Sequence, residues 1–89
     1  MSDPLVMQAL ANLVPRGSRV LDLGCGNGAF LSLLQSQRGC TGYGVEIDDA
    51  NVLACVQRGV SVIQLNLEQG LSMFDDQSFD VVLQIDTLQ

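Results

Sequence analysis

Val20-Leu21-Asp22-Leu23-Gly24-Cys25-Gly26-Asn27-Gly28-Ala29 is the stretch whose reading decides the fold. Its first half, with Arg19 before it, is an apolar run suited to a buried strand. Its second half is a glycine-rich loop, and the residues after it turn helical. From Ala29 to Gln37, Phe30, Leu33 and Leu34 fall on one helical face, and Arg38-Gly39 supplies a basic last turn and a glycine stop. A glycine loop that follows a strand and opens a helix is the context in which such a motif binds a ligand. Glycines permit the tight turn and let a ligand approach the backbone with no Cβ between them.

Working outward, the same punctuation recurs. Leu5 to Val14 carries apolar side chains at near-helical spacing and stops at Pro15-Arg16-Gly17. Tyr43 to Ile47 predicts a second strand, after which Asp48 or Asp49 caps a helix with Val52, Leu53 and Val56 on its apolar face. That helix ends at Gln57-Arg58-Gly59. Val60 to Leu65 predicts a third strand, Leu67 to Met73 a short helical turn, and Phe79 to Ile85 a fourth strand. Asp75-Asp76-Gln77-Ser78 reads as the loop before it, and Asp80 as a strand-start residue. Nearly all-apolar strands alternating with helices imply a parallel sheet covered on both faces. Right-handed crossovers then give an α/β, Rossmann-like, doubly wound sheet with strand order 3-2-1-4. The fourth strand becomes an apolar edge, and an uncovered edge favours self-association. Residues 1–89 form one domain, expected to be incomplete.

Composition narrows the function classes. The 89 residues carry a net charge of −6, no lysine and four dispersed arginines, which argues against nucleic acid as a partner. No apolar run is long enough to span a membrane and no basic-then-apolar leader is visible, so a cytoplasmic location is expected. Cys25, Cys40 and Cys55 are too far apart in sequence for a metal clip, and the chain has no histidine, so no metal site is expected. They read as reduced thiols, with Cys40 and Cys55 as small buried hydrophobes.

The loop's ligand is narrowed but not fixed by spacing. Gly24, Gly26 and Gly28 give GxGxG, while Gly24, Gly26 and Ala29 also satisfy the dinucleotide pattern. Asp22 weighs against a pyrophosphate, which seeks uncompensated N–H groups, and suits a ligand bearing a cationic amine and a sulfonium. S-adenosylmethionine has both, and is the cofactor expected here. Glu46 stands 18 residues beyond Gly28, where a carboxylate can accept both ribose hydroxyls. Such an acid serves NAD and S-adenosylmethionine alike. Ile47 adjoins it. Asn66 and the N–H of Leu67 are placed to meet an adenine edge, with a turn asparagine as the equal alternative. Gln84, Ile85 and Asp86 end the fourth strand, and Gln84 would lie over the far side of the cofactor. The candidate cofactor residues are therefore Asp22, Gly24, Cys25, Gly26, Gly28, Glu46, Ile47, Asn66, Leu67 and Gln84; no catalytic residue is named.

These segments, with Gly42-Tyr43-Gly44-Val45-Glu46-Ile47-Asp48-Asp49-Ala50-Asn51, Ala54-Cys55-Val56, Arg58-Gly59-Val60, Asp76-Gln77-Ser78-Phe79-Asp80 and Thr87-Leu88-Gln89, resemble class I S-adenosylmethionine-dependent methyltransferases. More narrowly they resemble the methionine-biosynthesis protein W (MetW) family. The resemblance implies a loop at Gly24–Gly28 that cradles the methionine part of the cofactor, Glu46 on the ribose, and Asn66 and Leu67 at adenine. It also implies a link to methionine biosynthesis in partnership with a homoserine O-acyltransferase. Asn66 replaces the acid usual in that family, Leu65 replaces a glycine, and the residues before Thr87 replace the usual Ser-Gln. Three readings stand at this point: a methyltransferase-type cofactor-binding domain, a non-catalytic partner of the acyltransferase, and, disfavoured by Asp22, an NAD-binding module.

Overall fold

The computed structural model describes residues 3–73 and 78–84. Eight elements run in the order α1 (Pro4–Leu13), β1 (Arg19–Leu23), α2 (Ala29–Arg38), β2 (Thr41–Glu46), α3 (Asp49–Arg58), β3 (Val62–Gln64), α4 (Leu67–Met73) and β4 (Val81–Leu83). The four strands form one parallel sheet ordered β3-β2-β1-β4. This is the Rossmann-like topology that the alternating pattern predicts.

The helices begin and end where local chemistry dictates. Asp3 caps α1 by accepting from the Leu5 N–H, and Pro4 follows it at the position where a missing N–H costs nothing. Asp48 caps α3 by accepting from Asn51 N–H at 3.0 Å. Both α2 and α3 stop at a left-handed glycine, Gly39 and Gly59. Arginine side chains then fasten the first helical layer. Arg38 donates twice to the Val14 carbonyl, at 3.1 and 2.9 Å, and Arg16 donates to the Gln37 carbonyl.

The core has two unequal halves. On one face Val20 of β1 packs with Ala11 of α1, Phe30, Leu31 and Leu34 of α2, Cys55 of α3, and Cys25, Cys40 and Val60 from the connections. On the other, Leu21, Leu23 and Val45 are buried with Leu65 and Phe79 against them. Alternation along β1 sends successive residues to opposite faces, so its apolar residues serve both halves. The inner pair β1–β2 is drawn tight by Gly42, where any Cβ would strike the Val20 backbone. For that reason β2 begins at Thr41, two residues earlier than the pattern suggests. At the other side of β1, Asp80 clamps β4: its carboxylate accepts from Arg19 N–H at 2.8 Å while its own N–H donates back to Arg19.

The third and fourth strands are shorter than expected, Val62–Gln64 and Val81–Leu83. Val60 is buried, but its N–H closes the end of α3 onto the Cys55 carbonyl instead of entering the sheet. Within the described residues β4 is an edge, and Val82 is half exposed. Ile85, Asp86, Asp75, Asp76 and Thr87 to Gln89 lie outside the described residues. No helix among those described is long and apolar enough to cross a membrane.

Candidate adenosyl-ligand site

The glycine loop connects β1 to α2 at the carboxyl ends of the strands, where open α/β sheets bind ligands. Gly24, Gly26 and Gly28 have φ of 76°, 60° and 83°, all left-handed. That repeated conformation is what demands glycine at alternate positions. The surroundings of the glycines differ. A Cβ on Gly28 would stand 2.9 Å from Cys55 Sγ, so Gly28 is also where α2 packs closely on α3. A Cβ on Gly26 would meet nothing within 4 Å, so the loop presents bare backbone there to open space.

Glu46 ends β2 and reaches across to this loop. Its Oε1 accepts from the Gly26 N–H at 2.9 Å, and its Oε2 accepts from the N–H groups of Ile47 and Asp48 at 3.2 and 3.0 Å. One carboxylate thus ties the β1–α2 loop to the β2–α3 turn. A carboxylate offers about four acceptor positions, and three are filled. Between these two turns opens a cleft of about 140 Å³, lined by Leu23, Gly24, Val45, Glu46, Ile47, Leu65 and Leu67. Its walls are apolar except for backbone groups and the Glu46 carboxylate, a combination suited to a flat ring on one side and hydroxyls on the other.

Beneath the loop lies a sulfur pair. Cys25 Sγ and Cys55 Sγ are 3.6 Å apart, and both thiols point at the Gly26 carbonyl, at 3.7 and 3.3 Å. Burial pushes the Cys25 thiol far above the ordinary range, reinforced by Cys55 and by the negative charges of Asp22 and Glu46. Burial also raises Cys55, with the Cys25 hydrogen bond pulling the other way. Asp22 is itself buried, 5% exposed, on the strand directly before the loop.

A larger groove, about 340 Å³, runs between α1 and α2 and is lined by Pro4, Met7, Gln8, Ala29, Ser32, Leu33 and Ser36. It holds no charged side chain and no strand end. The smaller cleft, which joins the glycine loop to the acid at the end of β2, is the candidate site.

The family model described as "Methionine biosynthesis protein MetW" matches residues 6–89. The chain belongs to the MetW family. A bifunctional methionine biosynthesis protein MetXA/MetW from Rhodopirellula baltica is 39% identical over 90 residues, covering 92% of this chain and 14% of that protein. The chain therefore spans a small part of that relative. Among solved structures, a SAM-dependent methyltransferase from Thiobacillus denitrificans in complex with S-adenosyl-L-homocysteine superposes with a TM-score of 0.80. It covers 94% of this chain and 37% of that one at 22% identity, a likeness of fold. A SAM-dependent methyltransferase from Archaeoglobus fulgidus is 30% identical with a TM-score of 0.69, over 88% of this chain and 36% of that one.

In this MetW-family chain the residues singled out from sequence fall into three groups. Gly24, Glu46, Ile47 and Leu67 line the cleft, and Gly26 reaches it through Glu46. Asp22 on β1, and Cys25 and Gly28 within the loop, are buried and shape it from within. Asn66 and Gln84 stand apart. The Asn66 side chain accepts from Gln69 N–H at 2.8 Å while Gln69 accepts from Asn66 N–H at 3.2 Å, a reciprocal cap on α4. Gln84 is exposed, one residue beyond the Asp22–Leu83 pairing of β1 with β4.

Sequence reasoning missed several members of the site. Leu23, Val45 and Leu65 supply its apolar wall. Gly44 leaves the space that the Cys25 side chain fills, since a Cβ there would collide with the sulfur. Gln64 steadies the β2–α3 turn by donating to the Ile47 carbonyl and to Asp49. The Asn66–Gln69 spacing was a readable capping signal; the others are contacts between distant segments with no local mark.

Proposed function

We propose that this chain is the S-adenosylmethionine-binding part of a methyltransferase-like protein of the MetW kind, acting in methionine biosynthesis. The observation that carries the reading is the convergence of the bare Gly26 backbone and the Glu46 carboxylate on one cleft at the strand ends. Family membership and the adenosyl ligand bound by the Thiobacillus denitrificans relative support it. In this reading the adenine and ribose occupy the cleft beside Leu65, Leu67 and Ile47, and the methionine part lies over the loop. Buried Asp22 supplies negative charge beneath a cationic amine and sulfonium. When bound, the cofactor supplies an electrophilic methyl group.

Glu46 has a specific part in this binding. Gripping two ribose hydroxyls takes two acceptor positions, and the carboxylate has about one to spare. Binding therefore releases Oε1 from the Gly26 N–H, and that N–H turns to the ligand. Methyl transfer itself rests on positioning more than on an acid–base pair.

A second reading has its own support. The Rhodopirellula baltica relative carries MetXA and MetW in a single bifunctional protein, which favours work beside a homoserine O-acyltransferase, with the adenosyl ligand as a signal. A cytoplasmic location fits either role. Calorimetric titration with S-adenosylhomocysteine, with NAD as the control, tests the shared core of both. Saturable binding of the first alone is expected. Binding of NAD in its place, or of neither by a folded chain, would overturn the assignment.

A further inference from the structure

Two buried sulfurs meet under the glycine loop although they lie 30 residues apart in the chain, their Sγ atoms 3.6 Å apart. Cys25 belongs to the loop itself, and Cys55 to the middle of α3. Each sulfur sits close against a glycine. Cys25 is pressed against Gly44 of β2, and Cys55 against Gly28, where even a methyl group would crowd it. The third cysteine is placed differently: the Cys40 thiol points to the carbonyls of Pro15 and Arg38.

We propose that Cys25 and Cys55 form a reversible disulfide, made by oxidants of the hydroperoxide class, that cross-links the glycine loop to α3. A disulfide requires the sulfurs to close to about 2.0 Å. Cys25 can make that approach because it is flanked by Gly24 and Gly26, whose φ of 76° and 60° place the bend in the loop and not in a helix. Cys55 is fixed in α3 and acts as the anchor.

The order of events follows from access. Cys25 is 9% exposed and Cys55 0%. With hydrogen peroxide as the oxidant, the Cys25 sulfur attacks one peroxide oxygen, the O–O bond breaks, and the departing hydroxide takes the Cys25 thiol proton, leaving a sulfenic acid and one water. The Cys55 sulfur then attacks Cys25 Sγ; the S–O bond breaks, the S–S bond forms, and the Cys55 proton leaves with the hydroxyl as a second water. Two thiols lose two electrons and the peroxide gains them. Asp22 of β1 and Glu46 of β2 face the pair with negative charge, Arg58 of α3 with positive, and burial dominates. The sulfurs therefore stay protonated at neutral pH, and oxidation quickens as the pH rises.

The cross-link alters the loop at its functional residue. The Gly26 carbonyl loses both S–H donors, while its N–H still faces Glu46. The loop is then held by α3 in a different register from the one that frames the cleft. Weakened adenosyl-ligand binding is the expected consequence; this part rests on the function proposed above, whereas the disulfide itself does not.

The test is oxidation of the folded 89-residue chain with hydrogen peroxide, followed by alkylation, intact mass and peptide mapping. The expected product is a monomer lighter by two hydrogens, with a Cys25–Cys55 peptide that dithiothreitol reverses and with Cys40 still alkylated. The Cys40→Ser variant should behave alike, and Cys25→Ser and Cys55→Ser should yield no internal cross-link. Pairs that involve Cys40, pairs between molecules, or Cys25 carried to the sulfinic acid with no cross-link would overturn the proposal. The wild-type peptide map decides the matter even if a serine variant fails to fold. In a second arm, S-adenosylhomocysteine is titrated into reduced and oxidised chain. At least a tenfold loss on oxidation is expected, and equal affinities would overturn the functional consequence. If even the reduced chain fails to bind, the adenosyl reading falls, and the disulfide stands or falls on its own map.

Discussion

Replacing Glu46 tests the link between fold and site, because its carboxylate is the joint between two turns. Three backbone donors converge on it: Gly26 on Oε1, and Ile47 and Asp48 on Oε2. Glu46→Ala removes all of them. The site is partly exposed, so water replaces some of what is lost, and each bond contributes about 0.5–1 kcal/mol net. The expected destabilisation is roughly 1.5–3 kcal/mol, or a fall in Tm of about 10 °C for a domain of this size. Glu46→Gln separates the two turns. Its one carbonyl oxygen can replace Oε2 and keep Ile47 and Asp48, but its amide then sets donor against donor at Gly26. Urea unfolding followed by circular dichroism should rank wild type above Gln and Gln above Ala, with midpoints shifting and slopes unchanged. For the adenosyl ligand, Glu46→Ala should cost roughly 2–4 kcal/mol of binding. An alanine variant as stable as wild type would refute the bridging role, and unchanged affinity would remove Glu46 from the site.

Two further outcomes follow from the same packing. Gly28→Ala places a methyl 2.9 Å from Cys55 Sγ at a φ of 83°, so it should destabilise by about 2 kcal/mol; the same change in a Cys55→Ala background should cost less, read as a double-mutant cycle in urea. Stability should also fall in alkali. The folded chain holds the Cys25 thiol protonated above the ordinary value of 9.0, whereas the unfolded chain releases that proton near it. The unfolded state then binds fewer protons, so stability is full below that pH and declines above it. A urea midpoint that declines above pH 9 in wild type, and less in Cys25→Ala, is the expected result.

What was legible in the sequence was what local grammar encodes. Arg19–Leu23, the loop and the helix from Ala29 were readable because an apolar run, alternating glycines and a helical stripe follow each other directly. Asp48 as a cap and Gly39 and Gly59 as stops were readable for the same reason. The second strand was expected to open at Tyr43, yet Thr41 and Gly42 belong to β2, and only a glycine allows so close an approach to Val20. Cys55 read as core filler, and its sulfur contact with Cys25 depends on the packing of α3 under the loop. Glu46 was recognised as an acid at a strand end, but its hold on Gly26 N–H is a tertiary contact without a local signature. Asn66 read equally as a group at an adenine edge and as a turn asparagine, and its reciprocal bonds with Gln69 show it capping α4.

The most direct measurement is a backbone amide NMR titration of this chain with S-adenosylhomocysteine. Shifts are expected to concentrate at Gly24, Gly26, Ile47 and Leu67, the amides around the cleft, with the Gly26 signal moving as Glu46 releases it. Shifts centred on Met7, Ser32 and Ser36 would place the ligand in the groove between α1 and α2 and contradict the assignment.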